Sequence, residues 1–294
     1  MIADRLLEEL EGLWKQLAAR QPEGVVRAAA MTLVVLADME EDPEKAASEI
    51  ARIMRQHPNR SIVVRLRGGD ARVEGHVLAE CWRPFDGHEQ ICSERVELHT
   101  PGVDGLAPVL VALAAPDLPV VVWSRSPATL DPAERIAPAI GSSRLIVNSD
   151  EFMKPDFHRL RRCATRVADL AWTAISPERD RVAEAFDDSA VRADLESIDA
   201  VVVSHSGATV PASAIYSAAW VRNAIGRAVA VRFEGGAAPA IELRAGSQVV
   251  ARAERGSPDR SEAALLNEEL SIQGRDAQFE AALHGAAELA GAPL

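Results

Sequence analysis

Aromatic side chains and cysteine are scarce in this chain. Only 4% of the 294 residues are aromatic, whereas 48% are hydrophobic, so Ala, Val and Leu must fill the core. The three cysteines, Cys81, Cys92 and Cys163, form no CxxC motif, which fits reduced thiols that pack as small hydrophobic groups. Cys81 and Cys92 flank a loop between two predicted strands, so a disulfide between them is the alternative.

An excess of positive charge and long apolar runs are also lacking. The chain has 44 acidic residues against 32 Lys and Arg, which gives a net charge of −12 and repels nucleic acid and anionic lipid surfaces. No apolar run approaches the roughly 20 residues of a membrane span, and the N-terminal segment lacks the apolar core of a signal peptide. We therefore expect a cytoplasmic protein that binds neither nucleic acid nor membrane.

Motifs of catalysis are absent. No GxGxxG follows a strand, and no GxxxxGK[ST], GxSxG or HExxH occurs. The seven histidines are scattered and form no local metal motif with the cysteines, although ligands could still assemble in three dimensions. We predict no catalytic residue, no cofactor and no metal. Ser204, His205 and Ser206 allow a nucleophile–base alternative, but adjacent side chains on an extended strand point apart and no acidic residue is placed to orient His205.

Apolar runs that alternate with amphipathic segments predict an α/β fold. Residues 31–37 form a buried strand, and Asp42 and Pro43 predict the start of a helix that Pro58 ends. The second half repeats this order of elements at an offset of 167 residues, with ten identities across residues 34–69. The pattern predicts two similar lobes, each a mixed sheet with packed helices, and leaves an internal duplication open.

The predicted organisation has three parts. Residues 1–150 form an N-terminal α/β lobe, residues 191–294 form a C-terminal α/β lobe, and residues 151–190 form a helical connector. A basic helix is expected within the connector, over residues 155–168.

Six stretches carry a resemblance to a known family. They are residues 32–38 (TLVVLAD), 57–64 (HPNRSIVV), 91–98 (ICSERVEL), 118–123 (LPVVVW), 144–152 (RLIVNSDEF) and 169–179 (DLAWTAISPER). In this order they resemble the OpcA family, the assembly proteins of glucose-6-phosphate dehydrogenase. The last stretch is the most specific. The family usually has a Trp where this chain has Glu178, whereas Arg179 is retained.

The resemblance implies a non-catalytic partner of glucose-6-phosphate dehydrogenase. Such a protein binds the dehydrogenase, promotes its oligomeric assembly and acts as an allosteric activator in the oxidative pentose phosphate pathway. Two alternatives stay open. One is a sensor that binds a sugar phosphate near Arg144, and the other is a small sugar-phosphate enzyme that uses the loop after strand 200–204. The sequence identifies no small-molecule ligand.

Residues 172–179 and the basic helix are the expected docking surface. The segment combines Trp, Pro and Arg in a predicted loop, and Trp and Arg dominate binding hot spots, while a positive patch helps to orient an acidic protein. The partner-interface candidates are Trp172, Ser176, Arg179, Arg159, Arg162 and Trp123. The structural alternative is a core Trp172 with Arg179 paired to a carboxylate.

Overall fold

The chain divides into two compact units. The computed structural model describes residues 2–20, 25–69, 72–83, 90–236, 238–255, 261–272 and 274–291. One unit comprises Met1–Val147 and Cys163–Val167, and the other comprises Asn148–Arg162 and Ala168–Leu294. The three-part division predicted from the sequence stays a prediction. Among the helices of the described ranges, none combines the length and the apolar content needed to cross a membrane.

The first unit is built on a large sheet with helices packed against it. Its elements are α1 (Ile2–Arg20), β1 (Val25–Arg27), β2 (Met31–Asp38), α2 (Pro43–Gln56), β3 (Asn59–Leu66), β4 (Glu74–Trp82), β5 (Gln90–Thr100), α3 (Ala107–Leu113), β6 (Val120–Ser124), α4 (Leu130–Ala139) and β7 (Arg144–Val147). The strand order is β1-β5-β3-β2-β6-β7-β8, where β8 is Val167–Asp169, and β4 pairs with β5. The pairs from β1 to β7 are parallel, and β4 runs antiparallel to β5.

The apolar runs of the sequence form the central strands of this sheet. Residues 33–37 of β2 are fully buried, as expected for a central parallel strand with both faces covered. The Asp42 side chain accepts a hydrogen bond from the Glu44 backbone N–H at 2.9 Å and caps α2, whose first residue is Pro43. The predicted start of this helix is therefore confirmed.

Two cysteines tie β4 to β5. Cys81 lies opposite Cys92 in the antiparallel pair, and the two form a disulfide. This corrects the interpretation of these two residues as reduced thiols, because strand pairing brings their Cα atoms to 4.1 Å. Cys163 takes no part in this disulfide, and its thiol lies 3.1 Å from the Glu134 carboxylate.

The second unit contains a smaller mixed sheet and most of the short helices. Its elements are α5 (Phe157–Arg162), α6 (Leu170–Thr173), α7 (Ser176–Ala185), α8 (Ser189–Ala193), β9 (Ala200–His205), α9 (Ala212–Ile225), β10 (Ala230–Gly235), β11 (Ala240–Ala245), β12 (Gln248–Glu254), α10 (Glu262–Ser271) and α11 (Ala277–Gly291). The strand order is β10-β9-β11-β12. The pair β9–β10 is parallel, and β11 is antiparallel to both of its neighbours.

Helix α9 lies at the centre of this unit. Residues 212–219 are all buried, and the helix ends at Gly226, whose φ of +72° suits a residue without a side chain. A Cβ added at Gly285 of α11 would lie 3.2 Å from the Ala219 Cβ, so the small residue permits a close approach of the two helices. The packed helices predicted for the C-terminal half are thus present.

The two halves share a local unit but not a whole architecture. In each half a strand, a helix and a parallel neighbouring strand follow one another, as β2-α2-β3 and β9-α9-β10. Val34 pairs with Ile62 in the first unit, whereas Val201 pairs with Val231 in the second, so the strand register differs by two residues. Each half contains a mixed sheet, as predicted. The internal duplication stays a hypothesis.

Candidate partner-binding site

A buried carboxylate fixes the start of the segment that carries three of the six predicted docking residues. Asp169, at the end of β8, is 1% exposed. Its Oδ1 accepts hydrogen bonds from the backbone N–H groups of Ser149 and Ala171, each at 3.0 Å, and the Tyr216 hydroxyl donates to Oδ2 at 2.9 Å. Burial raises the pKa of Asp169 to about 6, although these hydrogen bonds act in the opposite direction. The side chain caps α6 and orients the chain toward Trp172.

Trp172 belongs to an aromatic cluster inside the second unit. Its ring lies 6.1 Å from Tyr216 and 6.0 Å from Phe279, and Phe157 lies 5.1 Å from Tyr216 in an edge-to-face arrangement. The indole N–H donates to Asp276 Oδ2 at 2.9 Å. Only 2% of Trp172 is exposed, which agrees with the structural interpretation of this residue.

Arg179 covers the buried tryptophan. Its guanidinium lies 3.7 Å from the Trp172 ring centroid and donates to Ser176 Oγ at 3.1 Å and to Gln278 Oε1 at 3.4 Å. Burial lowers the pKa of Arg179, and the nearby carboxylates of Asp276, Asp180 and Glu268 oppose that effect. Over the described ranges no carboxylate forms an ion pair with this guanidinium. Arg179 therefore contacts two other predicted residues, Trp172 and Ser176. The hydrogen-bond partners of its guanidinium are neutral.

The basic helix is shorter than predicted and lies apart from Arg179. Helix α5 ends at Arg162 rather than at residue 168, with Arg162 exposed and Arg159 half-buried. A Cβ added at Gly291 would lie 3.7 Å from His158 of this helix, whereas Arg179 contacts Gln278 near the start of α11. Thirteen residues of helix separate these two contact points, which is about 20 Å. The structure does not join Arg159 and Arg162 to Arg179 in one cluster.

Trp123, the remaining predicted residue, is fully buried in β6 of the first unit. The Arg125 guanidinium lies 4.3 Å from its ring centroid and also binds the carboxylates of Glu41 and Glu49. Sequence reasoning missed these partners. The sequence indicated the contact of Arg125 with Trp123, because the two residues are two positions apart at a strand end and so share a face. It did not indicate the two glutamates.

Two family models together match residues 50–283, about four fifths of the chain. The model described as the glucose-6-phosphate dehydrogenase subunit N-terminal domain matches residues 50–164, and the model described as the C-terminal domain matches residues 165–283. The chain belongs to the OpcA family of glucose-6-phosphate dehydrogenase assembly proteins. No curated protein matches the chain significantly.

Among solved structures, one similar chain is described as "Trehalose-6-phosphate from E. coli bound with UDP-2-fluoro glucose". It is 13% identical, with a TM-score of 0.25. The match covers 69% of the present chain, which spans 64% of the length of the E. coli chain. A likeness at this level supports no inference about function.

The departure from the OpcA pattern at Glu178 has a structural explanation. Glu178 is 2% exposed, and its Oε2 lies 3.1 Å from Arg255 Nε, while the Ser217 hydroxyl donates to Oε1. Arg255 also donates to Ser213 Oγ at 2.9 Å. A charged residue is thus accommodated where the family has an aromatic one, because its charge is paired and hydrogen-bonded.

The structure also contains two cavities that sequence reasoning did not identify. One, of about 290 Å³ in the first unit, is lined by Arg27, Arg60 and Glu94. The other, of about 300 Å³ in the second unit, has a mainly apolar lining that includes Phe186 and Trp220. Trp220, which lines this cavity, is only half-buried.

Proposed function

We propose that this OpcA-family chain is a non-catalytic, cytoplasmic partner of glucose-6-phosphate dehydrogenase that promotes its oligomeric assembly and raises its activity. The family match over residues 50–283 supports association with the dehydrogenase. One observation in the structure carries the docking part of the proposal. The Arg179 guanidinium is stacked on Trp172, and its hydrogen-bond partners are neutral. We infer that the cation on Trp172 receives a carboxylate of the dehydrogenase.

The chemistry of Arg179 suits this role. A guanidinium stacked on an aromatic ring loses little conformational freedom on binding, because stacking and the bond to Ser176 already restrict it. Its partners in this chain are neutral, so a new carboxylate would not need to displace a charged one. Arg and Trp are also the residue types that most often dominate interface energies. Arg159 and Arg162, which lie on the separate helix α5, would steer the approach rather than form the central contact.

Activation would follow from differential affinity. A partner that binds the active oligomer of the dehydrogenase more tightly than its inactive species shifts the population toward the active oligomer. This mechanism requires no catalytic group in the chain. The loop after β9 is consistent with that view, because Nδ1 of His205 has no hydrogen-bond partner, and thus no orienting carboxylate, in the described part of the chain.

The proposal is tested by mixing the chain with the dehydrogenase of the same organism. Size-exclusion chromatography with light scattering should show co-elution and a larger dehydrogenase oligomer, and the turnover of the mixture should exceed that of the dehydrogenase alone. Separate elution with unchanged turnover would contradict the proposal. Dehydrogenase, lactonase or phosphatase activity of the pure chain, lost in His205→Ala, would contradict its non-catalytic part.

A sugar-phosphate sensor is a second candidate, at a cavity of the first unit that Arg144, the position expected from the sequence, does not line. Arg60 Nε lies 2.5 Å and Arg27 Nη2 2.6 Å from the two carboxylate oxygens of Glu94. Two cations therefore share one anion at a cavity of about 290 Å³. A thermal shift with glucose 6-phosphate that is lost in Arg27→Gln would favour the sensor. No shift at millimolar ligand would exclude this cavity as a sugar-phosphate site.

A further inference from the structure

Three side chains that commonly ligate metal ions converge on one face of β4 and β5. His76 lies opposite Glu97 in the antiparallel pair, and His99 follows Glu97 by two residues, so all three share a face of the sheet. One ligand atom of each residue lies within 4.8 Å of those of the other two. His76 Nε2 is 3.6 Å from Glu97 Oε2. No feature of the proposed dehydrogenase partnership uses these residues.

We propose that His76, Glu97 and His99 bind one zinc ion. Two imidazoles and one carboxylate are a ligand set that zinc uses in proteins, with bonds of about 2.1 Å in tetrahedral geometry. Such bonds place neighbouring ligand atoms about 3.4 Å apart, close to the observed distance between His76 and Glu97. The side chain of His76 is 52% exposed, so it can rotate to close the site, and water can take the fourth position.

A second observation concerns the imidazole of His99. Nδ1 of His99 is buried and has no hydrogen-bond partner within the described ranges. An unpaired buried polar atom is unfavourable, and a bound ion would engage this imidazole.

The surrounding charges restrict the kind of ion. Arg95 Nε lies 3.2 Å from Oε1 of Glu97, and Arg95 Nη1 lies 2.8 Å from Glu80, so Glu97 is held with its other oxygen toward His76. The positive charges of Arg65 and Arg67 oppose any cation near His99. An ion that bonds imidazole nitrogen strongly therefore fits better than calcium or magnesium, which prefer oxygen ligands.

The ion would tie β4 to β5 at a second point. The Cys81–Cys92 disulfide joins the strands five positions away from the pair of His76 and Glu97, which is about 17 Å along the strand. Because β4 hydrogen-bonds to β5 as an outer strand, a zinc ion at this end would protect its backbone amides from exchange.

Isothermal titration of the EDTA-treated, dialysed chain with zinc chloride tests the proposal. We expect one zinc ion per chain, and a dissociation constant at least about tenfold higher in His76→Gln and in His99→Gln. His284→Gln is the matched control. His284 forms an exposed pair with Glu288 at 3.2 Å on α11 and should not contribute to zinc binding. Circular dichroism checks that each variant folds.

The outcomes distinguish a specific zinc site from adventitious binding of zinc to the surface. No stoichiometric zinc, or zinc affinity that is unchanged in both His76→Gln and His99→Gln, would overturn the proposal. An equal loss in His284→Gln would show adventitious surface binding only and would also overturn it. A second measurement is available if His99→Gln folds poorly. In the unmodified chain, zinc should slow hydrogen exchange of the amides of Glu74–Trp82. Unchanged exchange would contradict the site.

Discussion

Among the Trp–Arg contacts of the described residues, the two closest are Arg125 on Trp123 in one unit and Arg179 on Trp172 in the other, and their surroundings differ in charge. Arg125 lies 4.3 Å from the Trp123 ring and binds two carboxylates, those of Glu41 and Glu49. Arg179 lies 3.7 Å from the Trp172 ring, and its hydrogen-bond partners are neutral. The same pair of residue types is therefore an internal ion-pair network in one unit, whereas in the other the described residues include carboxylates near the cation but none in direct contact with it.

The difference indicates a structural role for Arg125 and a binding role for Arg179. Arg125 is almost fully buried, so its positive charge is needed to stabilise the two carboxylates beside it. Arg179 stabilises no anion by direct contact, and its cost of partial burial is not offset by an ion pair. A group in this state gains most when a partner supplies the anion. The comparison predicts a large stability effect at Arg125 and a large binding effect at Arg179.

The largest expected loss of stability is at Arg125. Arg125→Met leaves Glu41 and Glu49 without their cation, and we expect the free energy of unfolding to fall by about 3–5 kcal/mol. Urea denaturation followed by circular dichroism measures this change. Arg252→Met is the control, because Arg252 forms exposed ion pairs with Glu242 and Glu254 and should cost about 1 kcal/mol or less. Equal losses in the two variants would contradict the distinction.

Asp169, the buried carboxylate three residues before Trp172, should make the stability of the fold depend on pH. Burial raises the pKa of Asp169 to about 6 from 3.8, so its contribution is fully present below about pH 4 and is lost as the pH rises through 6. Asp169→Asn removes the titrating group. Between pH 4 and pH 7 the unfolding free energy of this variant should rise by about 2 kcal/mol relative to that of the unmodified chain. Urea denaturation across this range measures the gain, and parallel pH profiles would contradict it.

A smaller effect is expected at Glu178, beside Arg179 in the chain. Glu178→Gln keeps the shape but removes the charge that Arg255 and Ser217 contact, which should cost about 2 kcal/mol. Chemical denaturation at pH 7 measures this loss. Because Glu178 is buried, we expect dehydrogenase binding by the folded variant to be unchanged. Weaker binding without a loss of stability would instead place Glu178 in the docking surface.

Local signals in the sequence predicted the parts of the fold that depend on neighbouring residues. Asp42 and Pro43 marked the start of α2, and the apolar run at residues 31–37 marked a central strand. The resemblance was most specific at residues 169–179, where the structure forms a cap, an aromatic cluster and the Arg179 stack.

The features that were missed depend on partners distant in the sequence. Arg125 contacts Glu41, 84 residues away, and His76 lies opposite Glu97 only because β4 pairs with β5 in that register. No spacing rule for helices or strands links such residues before the sheet is known. Trp220 lies in an apolar helix, but a cavity that only the packed structure shows lies beside it.

The substitution Arg179→Glu tests the central claim most directly. Size-exclusion co-elution with the dehydrogenase and thermal unfolding should be measured together, with Arg222→Glu as a control of equal charge change on α9, where Arg222 pairs with Glu288. We expect Arg179→Glu to weaken binding at least about tenfold while unfolding stability changes by about 1 kcal/mol or less, and the control to bind normally. If Arg179→Glu lowers the melting temperature by several degrees and the folded protein still binds the dehydrogenase normally, Arg179 is a structural residue and the account is wrong.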